Sequence, residues 1–269
     1  MMDLSRSGIE RSMYSMRIPV TALGQAGFRF QFGKCIVYID PYLSDSVEKI
    51  EGKARRRTVP IRIDPSQIDD VDYVFITHAH RDHCDPETII PMSASSQLCR
   101  FVCPGDVAHI LKDLGIGDNR LIIAPEEWIT MSRTLKVRAI PAAHPTIERD
   151  LQGNLRCVGY IFEFNGRRLY HSGDTSVCHD ILGTLSSIGT IDIAILPVNE
   201  RNYYREQDGI LGNMSVREAF NMATDIGVKI LVPMHWDMFE VNSVFCEEIE
   251  LLHKLLRPNF RLAINPTEI

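Results

Sequence analysis

Residues 77–85 read THAHRDHCD and follow the apolar run VDYVFI at residues 71–76. Side chains at i, i+2 and i+4 of an extended segment leave on the same side. His78, His80 and Asp82 therefore share a face, and His83 follows where the chain turns toward a helix. Four metal-competent side chains within so short a run suit two adjacent centres better than one. Imidazole combined with carboxylate favours zinc, iron or manganese over calcium or magnesium. The competing reading is a polar loop with chance histidines. It accounts for one isolated histidine more readily than for this spacing behind an apolar strand.

Other metal-competent side chains sit just past apolar runs. Asp40 follows 35–39, His144 follows 135–140, Asp174 follows 168–171 in YHSGDT, and His235 follows 229–232 in VPMHWD. Each alone reads equally well as a capping aspartate or a packed histidine. Their repeated placement favours a site, because loops at one edge of a layered α/β fold converge there.

The remaining pattern supports such a fold. Strand-like runs at 18–23, 28–32 and 35–39 are separated by glycine-containing turns, a hairpin pattern. Residues 44–60 read as an irregular, charged surface excursion. Strands are expected at 73–76, 98–103, 121–124, 134–140, 158–164, 168–170, 191–196 and 229–232. Helices are expected at 105–114, 177–188, 215–226 and 244–256. A further helix opens with Asp85 as cap and Pro86 in its first turn, and Pro91 is expected to interrupt it. No linker or repeat divides the chain. Residues 1–16 read as an N-terminal arm and residues 17–269 as one domain of two mixed sheets flanked by helices.

Composition narrows the function. Of 269 residues, 45% are hydrophobic and 24% charged, with a net charge of −6. That balance argues against nucleic-acid binding, which favours a basic stripe. The seven cysteines, at 35, 84, 99, 103, 157, 178 and 246, are odd in number and form no CxxC pair. They read as reduced thiols, and Cys84 as a small buried thiol behind the site. The N-terminus lacks the apolar core of a signal peptide, and no apolar run approaches the roughly 20 residues that span a bilayer. A cytoplasmic protein with no membrane partner is expected.

HxHxDH followed by a distant His, SGDT and a final His resembles the metallo-β-lactamase superfamily over about residues 17–259. The resemblance implies a four-layer αβ/βα sandwich binding two divalent ions, manganese or zinc, with iron as a further candidate. By position it implies His78, His80 and His144 at one metal, Asp82, His83 and His235 at the other, and Asp174 between them. Asp40 matches an early aspartate that supports the ligands. The segments at 55–85, 169–175 and 213–242 resemble the L-ascorbate-6-phosphate lactonases. They imply metal-dependent opening of a small, anionic, sugar-derived lactone, and assembly as a homo-oligomer. Paired divalent ions lower the pKa of a shared water toward neutrality, with Asp82 and Asp174 as catalytic carboxylates. Substrate contacts are expected from Glu200, Arg201 and Tyr203 in NERNYY and from Arg57, since guanidinium matches phosphate and carboxylate geometry. Trp236 is a candidate wall of the pocket. The alternative is a phosphodiesterase acting on a small or cyclic phosphodiester. An oxygen-reducing di-iron enzyme is disfavoured because Ala79 stands where such relatives place a glutamate. A catalytically inactive metal-binding module is disfavoured by the complete ligand set.

Overall fold

Phe28, Phe30 and Phe32 alternate with half-exposed Arg29 and Gln31, and all three rings are buried. This period of two marks a strand with one face on a core. The chain's computed structural model describes residues 17–269, so the arm expected at residues 1–16 lies outside the described residues. Strand β1 (Val20–Gly24) pairs antiparallel with β2 (Gly27–Phe32), and β2 with β3 (Cys35–Ile39). From β3 the sheet continues in parallel through β4 (Tyr73–Phe75), β5 (Arg100–Cys103) and β6 (Leu121–Ile123).

The second sheet has the order β13-β12-β11-β10-β9-β8-β7. Strands β7 (Ile129–Thr130), β8 (Leu135–Pro141), β9 (Val158–Phe164) and β10 (Arg167–His171) pair antiparallel in succession. Strands β10, β11 (Ile193–Pro197), β12 (Ile230–Met234) and β13 (Arg261–Leu262) then run parallel.

One apolar core lies between the sheets. Phe162 stands near its middle, with ring centroids 4.9 Å from Phe75 and 5.4 Å from Phe32. Helix α1 (Ser46–Glu51) falls in the segment expected to be an irregular surface excursion. That expectation is corrected: Tyr42 and Val47 are buried against Met238 and Phe239, so this segment is anchored beside the loop after β12. On the outer face of the first sheet, α2 (Pro86–Ser95) packs Ile89 and Met92, and α3 (Gly105–Asp113) packs Val107 and Leu111. Outside the second sheet lie α4 (His179–Ile188) and, after the short exposed α5 (Tyr203–Gln207) in the loop that follows β11, α6 (Val216–Asp225) and α7 (Cys246–Leu256). Ile181, Leu185, Phe220 and Ile249 carry α4, α6 and α7 onto that sheet. The layers are helix, sheet, sheet, helix.

Helix α2 also departs from expectation, because it runs through Pro91 rather than stopping there. Proline removes one helical hydrogen bond, but the burial of Ile89 and Met92 on either side holds the helix to the sheet.

Replacing Phe162 by alanine empties the centre of the intersheet core. The expected loss is about 3–5 kcal/mol, read as a lower urea midpoint. An unchanged midpoint would show that the two sheets are not held by this cluster.

Candidate metal centre

Strands β3 and β4 run parallel, so their C-terminal ends lie side by side. Asp40, next after β3, adopts φ 43° and donates its backbone N–H to the Phe75 carbonyl at 2.9 Å. Its fully buried carboxylate accepts from the Thr77 N–H at 2.8 Å and the Thr77 hydroxyl at 2.6 Å. It also lies 2.8 Å from His83 Nδ1. The ionised carboxylate only accepts, so the Nδ1–H of His83 donates to it and His83 Nε2 keeps its lone pair. Thr77 Oγ1, having donated to Asp40, can accept from His78 Nδ1 at 3.1 Å. One carboxylate thereby sets the tautomer of two imidazoles.

The second sheet brings the remaining groups to the same edge. The loop after β8 carries His144 and is tied to the loop after β10: Ala143 N–H donates to Thr175 Oγ1, and Ser176 N–H to the Ala143 carbonyl. At the end of β10, His171 donates Nε2–H to the Ala26 carbonyl and accepts the Gly173 N–H on Nδ1. Both its nitrogens are used, so His171 is a brace. Gly173 has φ +59°, and a Cβ there would lie 2.7 Å from the Val158 carbonyl and 2.9 Å from Thr77 Cβ. Only glycine brings Asp174 this close to the first sheet. His235, after β12, is held by its N–H to the Gln25 carbonyl at 2.8 Å.

Three groups of ligand atoms result: His78, His80 and His144; His78, His83 and Asp174; and Asp82, His83 and His235. Within each, the atoms lie within 4.8 Å of one another. Asp174 is 3.6 Å from His83 Nε2, 3.8 Å from His144 Nε2 and 3.2 Å from His235 Nε2, and so joins the groups. His78 Nε2, His83 Nε2 and Asp174 Oδ1 are buried without a hydrogen-bond partner. Buried polar atoms normally find partners. Three oriented lone pairs that converge on one place without one fit a cation.

The electrostatics agree. Burial opposes charge on His83, but Asp174, Asp82 and Asp40 outweigh it and raise its pKa well above the ordinary imidazole range. Burial is likewise overcome at His235, where Asp174 and Asp82 push the pKa up to about 9. Burial alone would raise the Asp174 carboxyl, yet His235 and His83 hold it well below the carboxylate range. Asp82 is lowered against its burial in the same way by His83 and His235. His78 and His144 shift downward, chiefly by burial, toward the neutral form that ligates. The same carboxylates that draw a proton to His83 Nε2 or His235 draw a metal ion there, and binding the ion would displace that proton.

Gln25 was not singled out by its sequence position, a turn between β1 and β2. It is buried at φ 57°, with Nε2 2.5 Å from Asp82 Oδ2 and 3.1 Å from His235 Nε2. Its main signal is the local GQAG turn, which carries no mark of the ligands opposite.

Above the ligands opens a cleft of about 260 Å³. His80, Asp82, His144, Asp174 and His235 line it, together with Val47, Glu51, Arg55, Arg81, Ile210, Leu211 and Asn242. Arg57 lies elsewhere: its guanidinium donates to the carbonyls of Val59, Tyr42 and Ser44 and stands over the Tyr42 ring. Glu200, Arg201 and Tyr203 are also outside the lining. Arg201 pairs with Glu206, and the Tyr203 ring is exposed beside Tyr204. The same loop reaches the cleft later, at Gly209, Ile210 and Leu211. Trp236 is half-buried against the helices outside the second sheet rather than in the cleft lining. Among the described residues, no helix is long and apolar enough to cross a membrane.

The family described as the beta-lactamase superfamily domain matches residues 36–236. A metal-dependent hydrolase of Alkaliphilus metalliredigens is 26% identical over 226 residues, covering 81% of this chain and 85% of that protein. A Salmonella paratyphi B protein named "Probable L-ascorbate-6-phosphate lactonase UlaG" is 24% identical over 226 residues. That match covers 78% of this chain but 61% of the relative's length. In fold, the chain is similar to a possible metal-dependent hydrolase from Veillonella parvula. The TM-score is 0.72 at 18% identity, covering 94% of this chain and 98% of the other.

Gly173→Ala forces a side chain against backbone and the Thr77 β-carbon in a left-handed conformation. A stability loss of about 1–3 kcal/mol is expected, measured by chemical denaturation. Wild-type stability in this variant would mean that the Asp174 loop is free to move away from the first sheet.

Proposed function

The chain belongs to the metallo-β-lactamase superfamily and is a metal-dependent hydrolase; on that premise we propose that it opens a small, anionic, sugar-derived lactone. The carrying observation is the convergence of two ligand sets around Asp174 on the floor of a small cleft with arginines in its wall. The likeness to the lactonase relative supports the ester class. The cleft volume supports a small molecule over a polymer.

In this reading His78, His80 and His144 would hold one divalent ion, manganese or zinc, Asp82, His83 and His235 would hold a second, and Asp174 is within reach of both groups. When bound, the pair supplies Lewis acidity and brings a water's pKa toward neutrality. The chain's own residues do the rest. Asp40 and Thr77 fix the direction of the His78 and His83 lone pairs. Asp82 and Asp174 are the carboxylates at the cleft floor placed to take the water's proton and pass it to the leaving alkoxide. Ring opening then leaves a hydroxy acid. Neither a serine nor a cysteine nucleophile is required. All seven cysteines are free thiols, which supports a reducing, cytoplasmic setting for the reaction.

The test compares metal-loaded and chelator-stripped protein on a panel of phosphorylated and unphosphorylated sugar lactones, with bis-p-nitrophenyl phosphate alongside. Lactone opening that disappears with the metal and returns with Mn²⁺ or Zn²⁺ is the expected result. Full activity after stripping, or turnover of the phosphodiester alone, overturns it. Asp40→Asn is expected to weaken metal affinity about 10–100-fold, measured by competition with a chromophoric chelator. An unaltered affinity would remove Asp40 from the ligand-orienting role.

A further inference from the structure

Arg81 stands in the chain between His80 and Asp82, and its half-buried side chain lines the cleft beside them. Among the described residues it makes no hydrogen bond and no ion pair. The neighbouring arginines are committed. Arg55 pairs with Glu51 at 3.4 Å, Arg57 serves the carbonyls already described, and Arg205 donates to those of Asn199, Glu200 and Ser243. A guanidinium offers five donors in a fixed fork and accepts nothing. Partly withdrawn from water and unpaired, it is complementary to an oxyanion.

A neutral donor from another loop lines the same cleft. Asn213 Nδ2 donates to Asn199 Oδ1 at 3.1 Å, and Asn199 Nδ2 donates to Asn242 Oδ1 at 3.1 Å. This relay takes up the Asn242 acceptor and leaves its Nδ2 hydrogens without a protein partner among the described residues. Reversing the three amides would leave both N–H donors of buried Asn213 unmet, whereas the present orientation pairs one of them and leaves its Oδ1 without a partner. Unmade buried hydrogen bonds are costly, so the relay favours presenting a donor to the cleft.

We propose that Arg81 and Asn242 form a subsite for a phosphate ester carried by the substrate, held beside the hydrolytic centre. This rests on the lactonase reading and names the residues of this chain that would choose among its substrates. Three phosphate oxygens can use both the guanidinium fork and the amide hydrogens, whereas a sugar hydroxyl leaves most of these donors unmet. Arg81 and Asn242 are specificity determinants here, and the proton steps stay with the aspartates.

The test uses the metal-loaded full chain and two readouts. The first is the ratio of kcat/KM for a phosphorylated lactone to that for its unphosphorylated counterpart. The second is calorimetric binding of glucose 6-phosphate against glucose. Arg81→Gln is expected to lower both preferences about 10–100-fold, the size of a lost charged hydrogen bond, and to do so through KM. Arg81→Lys should restore part of the preference. Asn242→Asp should lower it independently, by setting a carboxylate against the anion. Because Arg81 adjoins two ligands, metal content is measured in every variant. If Arg81→Gln loses metal, Asn242→Asp decides. Unmoved preferences in metal-replete Arg81→Gln, or in Asn242→Asp where that variant decides, overturn the subsite while lactone opening stands. A wild-type protein that opens no lactone but prefers glucose 6-phosphate in an Arg81-dependent manner keeps the subsite and removes the lactonase reading.

Discussion

The Asp40 carboxylate is the group on which the site's order depends. It is fully buried, and it accepts from Thr77 twice and from His83 once. A buried charge without such partners would be prohibitively unfavourable. With them, it fastens the end of β3 to the loop after β4 and orients His83 directly and His78 through the Thr77 hydroxyl. The two Nε2 atoms left without protein partners are the outcome of that arrangement. Ring orientation set behind the ligands is the general means by which proteins tune a metal site.

This dependence explains why a site drawn from so many parts of the chain is well defined. Each contributing loop is braced by something other than a ligand. His171 and Gly173 fix the Asp174 loop, Thr175 fixes the His144 loop, and the Gln25 carbonyl fixes His235. The braces use backbone groups that would otherwise need water, so satisfying the main chain and aiming the side chains are one task.

The ligand run was legible in the sequence because its spacing is local. His78, His80, Asp82 and His83 need only a strand end and a turn to be brought together. Asp40, His144, Asp174 and His235 were legible as residues past apolar runs, and β3 and β9 were found at their observed limits because both have strongly apolar, sharply bounded segments. The cleft wall was not legible. Arg57 and Arg55 look alike in KARRR, and only the path of the chain past α1 decides that one serves carbonyls while the other faces the cleft. Residues 44–60 read as loose because their charged residues hide the apolar anchors Val47 and Val59, which with the preceding Tyr42 need the distant Met238 and Phe239. Gln25 was missed for the same reason: its partners lie across the fold, and nothing in the turn signals them.

The ligand groups come from both sheets. His78, His80, Asp82 and His83 belong to the first, and His144, Asp174 and His235 to the second. An ion shared among them is therefore also a crosslink between the two layers, at the edge where the apolar core gives way to polar loops. Binding that occurs only in the folded state adds its free energy to folding. For this architecture that contribution acts along a single seam. With an ion held there, the fold's resistance to parting at that edge would be coupled to the concentration of free divalent ion, and the candidate centre would double as a mechanical fastening whose strength is set by metal supply.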